Sequence, residues 1–333
     1  MDSGNNFVFT RFTCLQTFLL FGILAAIAAA PCQAMGGLPD QPGQYELELQ
    51  HNDRNRSYIL HIPPQYNGKD RLPLVLAFHG GAGNASQLLG CCGLAEKADR
   101  EGFVLAVPNG SGILKRRFLT WNVGFGFGYA MNRNVDDVGF VRRLIDRLEN
   151  GLRIDPDRIF ATGISNGAIL THLLAAHLPE KIAAIAPIVG AVGGKKDERG
   201  YYLMPPSPAS PVAVIAFNGR LDQHMPYKGG IQEKFAGKAP VYVTSARTMH
   251  KFWTKANGCA DKPDRKTYPL KKHMVVSFGE GCRGSEVVQY LIFDQGHAWP
   301  GSKNPRRFGD KPSKHVLAND IMWEFFSTHP KKK

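Results

Sequence analysis

Gly163-Ile164-Ser165-Asn166-Gly167 sets a serine between two glycines, where a β-rich run (residues 158–162) gives way to a helical one (168–176). The pattern G-x-S-x-G recurs by chance in chains of this size, so its weight lies in that strand–turn–helix setting. On such a turn the hydroxyl stands clear of its neighbours, because glycines remove the side chains that would clash. The first turn of the following helix then offers backbone N–H groups and its positive dipole end to a developing negative charge. These are the requirements of a nucleophile for acyl transfer.

A second element agrees. His79-Gly80-Gly81-Ala82-Gly83-Asn84 follows the apolar run 74–78. Without side chains, Gly80 and Gly81 let backbone N–H groups approach a substrate oxygen, and the N–H of Asn166 would complete the oxyanion hole. The loop lacks the Lys-Ser/Thr ending of a phosphate cradle. His79, at its head, is a candidate substrate contact.

Serine needs a base and an orienting acid. Asp222 follows the apolar run 212–217 through Asn218-Gly219-Arg220-Leu221, and His297 follows run 287–293 through Asp294-Gln295-Gly296. The order Ser–Asp–His is that of α/β-hydrolases, and both groups fall just beyond carboxyl ends of strands, where open parallel sheets bind ligands. His224 is the rival base and Asp294 the rival acid.

Positioning these groups requires alternating strands and helices. Runs 45–50 and 57–62 predict an opening hairpin around residues 53–56. Strands are expected at 74–78, 103–107, 159–162, 183–189, 212–217 and 287–293, with helices at 86–101, 167–177, 244–256 and 315–327. A further helix, capped by Asp136 or Asp137, carries Val138, Phe140, Val141, Leu144, Ile145 and Leu148 at helical spacing. The expected fold class is α/β: an α/β-hydrolase fold, a mostly parallel sheet with helices on both faces. No repeat or linker interrupts the pattern, so residues 35–333 read as one domain.

Composition fits this reading, with 43% hydrophobic and 21% charged residues among 333. Residues 1–34 read as a secretory signal peptide: Arg11, an apolar run from Phe18 to Ile27, Pro31, then cleavage after Ala34. An uncleaved anchor and a lipid-modified Cys32 are the alternatives. Cleavage implies a secreted or periplasmic protein with no membrane association. It removes one residue of each sign, leaving the net charge at +13. The basic residues are scattered apart from pairs such as Lys195-Lys196, Lys271-Lys272 and Arg306-Arg307. They solvate a face or attract an acidic polymer or surface, and no nucleic-acid motif accompanies them. Cys91, Cys92, Cys259 and Cys282 remain, allowing three connectivities. Cys259 and Cys282 flank a Lys-rich excursion and are the expected disulfide; Cys91 and Cys92 fall in a helix as buried thiols. No metal-ligand spacing is present.

Taken in order, His79-Gly80-Gly81, Ala98-Asp99-Arg100-Glu101-Gly102-Phe103, Trp121-Asn122 and Asn134-Val135-Asp136-Asp137-Val138-Gly139-Phe140 make a family pattern. The serine elbow, Asn218-Gly219 and Gly296-His297-Ala298-Trp299-Pro300-Gly301 complete it. Over most of residues 45–325 the chain resembles the esterases that include polyhydroxybutyrate depolymerases and secreted feruloyl and acetylxylan esterases. The resemblance implies a serine carboxylic-ester hydrolase with Ser165, Asp222 and His297 as triad, requiring no metal or organic cofactor. Its substrate would be a small-molecule or oligomeric ester: polyester, feruloyl ester or acetylated polysaccharide. Trp121 and Trp299 would form an aromatic substrate wall or pack inside the protein. Two departures stand out: Phe125-Gly126-Phe127-Gly128 occupies a place where such esterases often carry cysteine, and Arg220-Leu221 precedes the acid. A peptidase on the same fold and a non-catalytic secreted binding protein are the competing function classes.

Overall fold

A computed structural model describes residues 37–332 except 115, 116, 127, 196–198, 233–240 and 303–309. The expected leader with Cys32 and its cleavage point lies outside the described residues, as do Lys196, Arg306 and Arg307.

The chain opens with the hairpin β1 (Gly43–His51) and β2 (Arg54–Ile62), turned by Asn52 and Asp53, both at positive φ. There follow β3 (Leu72–Phe78), α1 (Ala85–Cys92), α2 (Leu94–Glu101), β4 (Val104–Pro108), α3 (Tyr129–Asn132), α4 (Asp137–Gly151), β5 (Ile154–Ile164) and α5 (Asn166–His177). Next come β6 (Ala184–Ile188), β7 (Gly194–Lys195), β8 (Ala213–Gly219), β9 (Gly230–Ile231), β10 (Tyr242–Val243) and α6 (Ala246–Asn257). The chain then runs through β11 (Asp264–Tyr268), β12 (His273–Phe278), β13 (Val287–Ile292) and α7 (Ala318–Thr328).

One ten-stranded sheet has the order β1-β2-β4-β3-β5-β6-β8-β13-β12-β11. Its centre, from β4 to β13, is parallel, and antiparallel strands extend it at both ends. This is the α/β-hydrolase architecture, and residues Leu38–Lys333 form one compact unit. The central strands β4, β6 and β8 are buried throughout because helices cover both faces. One face meets Phe140, Leu144, Leu170, Leu174 and Trp253 of α4, α5 and α6. The other meets Leu88, Ala98, Met322 and Phe326 of α1, α2 and α7. No helix among the described residues is long and apolar enough to cross a membrane.

The structure departs from the sequence reading at one helix and completes it in two other places. The single helix expected over 86–101 is two, because Gly93 at φ 68° ends α1 in a left-handed turn. Asp136, not Asp137, caps α4 by accepting the Gly139 N–H; Asp137 is drawn inward by buried Arg56 at 2.6 Å. The Lys-rich excursion is the exposed hairpin β11–β12, and the expected disulfide joins Cys259 and Cys282 at its base. Cys91 and Cys92 are free thiols, Cys92 buried and Cys91 partly so.

Two histidines in the helical layer make stability depend on acid. Buried His172 of α5 accepts the Trp253 indole N–H at Nδ1 (3.0 Å), and burial pushes its pKa down to about 3. Burial, with the Arg265 charge, pushes His250 of α6 down to about 4. Both are therefore neutral in the native protein at pH values where the unfolded chain protonates them. Their contribution is complete above about pH 6.5 and declines as pH falls toward about 4, by about 1.4 kcal/mol per unit for each group. His172→Asn keeps an acceptor for the indole while removing one titrating group. Thermal unfolding followed from pH 7 to 4 should show a flatter decline for this variant, by about one proton. A slope equal to that of the wild type would contradict the assignment.

Candidate active site

At the end of β5 the backbone makes the turn that the glycines foreshadow. Ser165 sits at φ 59°, ψ −120°, the conformation of the first central residue of a type II′ turn, which glycine normally fills. A non-glycine residue held there stores strain, and such strain gathers where a side chain must be aimed. The turn leaves no room beside it. A Cβ on Gly163 would lie 2.6 Å from the Gly167 carbonyl oxygen, and one on Gly167 would fall 2.6 Å from that of His79. The Ser165 N–H donates to Ile188 O of β6 (3.1 Å), and its carbonyl accepts from Ala168 and Ile169, starting α5. Its hydroxyl makes no capping bond to that helix.

The glycine loop after β3 lies against this turn. A Cβ on Gly80 would sit 3.3 Å from the Ser165 Cβ, and one on Gly81 3.7 Å from the Asn166 Cβ. Gly80, Gly81 and Asn166 are thus brought together around the serine. His79 is fully buried beneath the loop. Its Nδ1–H donates to Gly80 O (2.8 Å) and its Nε2 accepts the Gly110 N–H (3.0 Å), which fixes the neutral tautomer. Trp121, also fully buried, donates its indole N–H to His79 O (2.9 Å) and its backbone N–H to Asn166 Oδ1 (2.7 Å). Below it, the Asn122 N–H donates to Asp137 Oδ2 (2.7 Å), so the Arg56–Asp137 pair anchors the loop that clasps Asn166.

Beyond β8 and β13, Asp222 and His297 converge. Asp222 is buried; its Oδ1 accepts the backbone N–H groups of His224 and Met225, each at 2.8 Å. Its Oδ2 accepts from His297 Nδ1 at 2.8 Å, which leaves the lone pair on Nε2 for a proton. The two loops are stitched together: Arg220 N–H donates to Ile292 O and Leu221 N–H to Gln295 O. Fully buried Gln295 donates to Ala298 O (2.6 Å), and Asp310 Oδ2 accepts the His297 backbone N–H (2.6 Å). Since β5, β6, β8 and β13 are parallel neighbours, Ser165, Asp222 and His297 all stand at one carboxyl-end rim. Among the described residues the Asp222–His297 bond is formed, whereas no hydrogen bond joins the Ser165 hydroxyl to His297. Catalytic hydrogen bonds are often long without substrate and tighten in the Michaelis complex.

The rivals have other places. His224 lies beside His297, ring centroids 4.8 Å apart. Asp294 faces Lys272 and His315, both 3.7 Å from its Oδ2. The three expected substrate contacts are corrected: His79, Trp121 and Trp299 are buried. Trp299 donates its indole N–H to Asn319 and packs with α7, so all three brace the rim from within. The bracing roles of Asp137, Gln295 and Asp310 escaped sequence reading. For Asp137 a signal existed, since of two adjacent acids at a helix start only one can cap. Among the described residues no group of three or more His, Cys, Asp or Glu side chains is placed to hold a metal ion.

The family described as esterase PHB depolymerase matches residues 56–217. Feruloyl esterase B of Piromyces equi is 29% identical over 245 residues, covering 73% of this chain and 42% of that longer protein. A probable feruloyl esterase C of Aspergillus niger is 24% identical over 325 residues, covering 95% of this chain and 98% of its own. Among solved structures, an acetyl xylan esterase from Aspergillus awamori shares the fold with TM-score 0.58 and 15% identity, covering 86% of this chain and 99% of that one. Fold and relatives together define a carboxylic ester hydrolase of the α/β-hydrolase class. Its sequence is similar to the polyhydroxybutyrate depolymerase and feruloyl esterase type of ester hydrolase.

Proposed function

We propose that the chain is an exported serine esterase that removes feruloyl or acetyl groups from polysaccharide fragments, with Ser165, His297 and Asp222 as its triad. The Asp222–His297 bond at 2.8 Å, on the same rim as a serine held at positive φ, carries this reading. His297 Nε2 takes the Ser165 proton as the hydroxyl attacks the ester carbonyl. The N–H groups of Gly81 and Asn166, with the Gly80 backbone beside them, receive the oxyanion. Asp222 stabilises the imidazolium, which then protonates the departing alcohol; water, deprotonated by His297, releases the acid. The names of the relatives favour acyl groups on carbohydrate over polyester. The leader read over residues 1–34 and the Cys259–Cys282 bridge support export.

A fluorophosphonate probe followed by peptide mass analysis should place the adduct on Ser165, and modification of a different serine would overturn the triad. In parallel, kcat/KM for methyl ferulate or acetylated xylo-oligosaccharide should exceed that for a hydroxybutyrate oligomer by about tenfold or more. The reverse preference would assign the site to polyester.

A further inference from the structure

Helix α7 packs over β5, β6 and β8. Past it, the same face of β13, β12 and β11 floors an open groove of about 440 Å³, within the ~300–1,000 Å³ range of small-molecule sites. The groove shares no residue with the Ser165–Asp222–His297 rim. Its floor follows from the register: Tyr268 lies opposite His273, Lys266 opposite Val275, and Val275 opposite Tyr290, which in turn neighbours Phe217. The rings of Tyr268, His273, Tyr290 and Phe217 therefore stack in a row across four strands, with centroids 4.9, 5.6 and 5.2 Å apart and planes within 26°.

Val275 and Ile321 are the apolar members of the lining, and the rest is polar. Lys271 reaches over the Tyr268 ring (6.0 Å), Lys266 pairs with Asp264 (3.1 Å) with both side chains mostly exposed, and His315 and Ser277 face the same space. Because the rings stack on one another and His273 and Phe217 are buried, Tyr268 and Tyr290 offer their edges to the groove, and such edges flanked by cations suit a ligand with hydroxyls and negative charge. Pyranose rings pack along the tyrosine edges, carboxylates pair with Lys266 and Lys271, and sugar hydroxyls bond to Asp264, Ser277 and His315. The net charge of +13 draws an acidic polymer toward the protein.

We infer that this groove binds an acidic oligosaccharide, a pyranose chain carrying uronic acid carboxylates. The disulfide-closed Lys-rich hairpin is then the wall of a glycan subsite built into the catalytic unit. His315 of the groove faces Asp294 (3.7 Å), which lies three residues before His297 in the chain. The inference stands apart from the proposed triad, because binding needs no turnover.

Calorimetric titration of the full chain with an ester-free xylo-oligosaccharide bearing glucuronic acid tests it. Tyr268→Ala and Lys271→Ala should each raise Kd about fivefold to tenfold while p-nitrophenyl acetate turnover, which also reports the fold, is unchanged. The same oligosaccharide with its carboxyl reduced to an alcohol should bind about tenfold more weakly to the wild type, a comparison that needs no variant. Unchanged Kd in both variants, or equal binding of the reduced oligosaccharide, would overturn the inference. So would displacement by inorganic polyphosphate at equal concentration, which would make the groove a general anion patch. Competitive inhibition of ester turnover with Ki equal to Kd would place the oligosaccharide in the active site instead.

Discussion

Ser165→Ala is expected to lower kcat for methyl ferulate or p-nitrophenyl acetate by about 10⁵–10⁶, to the level set by the oxyanion donors and substrate binding alone. The loss should fall on kcat with KM little changed, since the hydroxyl acts on the reacting carbon. Stability should hold, because alanine occupies the same strained backbone and the hydroxyl caps nothing in α5. Ser165→Gly sharpens the test. At φ 59°, ψ −120° glycine carries no steric penalty, so this variant should lose activity equally yet unfold at a higher temperature. The gain reflects release of about 1–3 kcal/mol of backbone strain, less glycine's extra entropy in the unfolded chain. Turnover surviving in purified Ser165→Ala would remove the serine from the mechanism. An unfolding temperature lowered in Ser165→Gly would remove strain from the account of the elbow.

The elements behind these predictions were readable to different degrees. The central strands announce themselves as apolar runs, because a parallel strand covered on both faces admits little else. The elbow and the Ser–Asp–His order follow from turn chemistry and strand ends, both local properties. Edge strands are another matter. Asp264, Arg265, Lys266 and Thr267 of β11 are all exposed, so neither alternation nor hydrophobicity marks them, and only pairing with β12 makes them a strand. Burial direction was equally hidden. Residue type offered His79, Trp121 and Trp299 to a substrate, whereas tertiary packing turned each inward, against the loops around Ser165 and His297. The braces that matter most, Asp137 under Trp121-Asn122 and Asp310 behind His297, are joined to their partners only by the fold.

Asp222→Asn isolates orientation from shape. The carboxylate holds its turn through Oδ1, which accepts two backbone N–H groups at 2.8 Å, and addresses His297 through Oδ2. An asparagine carbonyl oxygen can replace Oδ1 and keep both backbone bonds. That choice forces the amide NH₂ toward His297, where it donates to Nδ1 and drives the imidazole proton to Nε2. The histidine then presents an N–H to Ser165 and cannot accept its proton. The expected loss is about 10⁴ in kcat at neutral pH with the fold intact. Activity should partly recover at high pH, where hydroxide can deprotonate the serine without help from the imidazole, and that profile separates a wrong tautomer from a damaged loop. An Asp222→Asn variant within about tenfold of wild type would show that another group orients His297. Asp294 is poorly placed for that role, because its carboxylate faces Lys272 and His315.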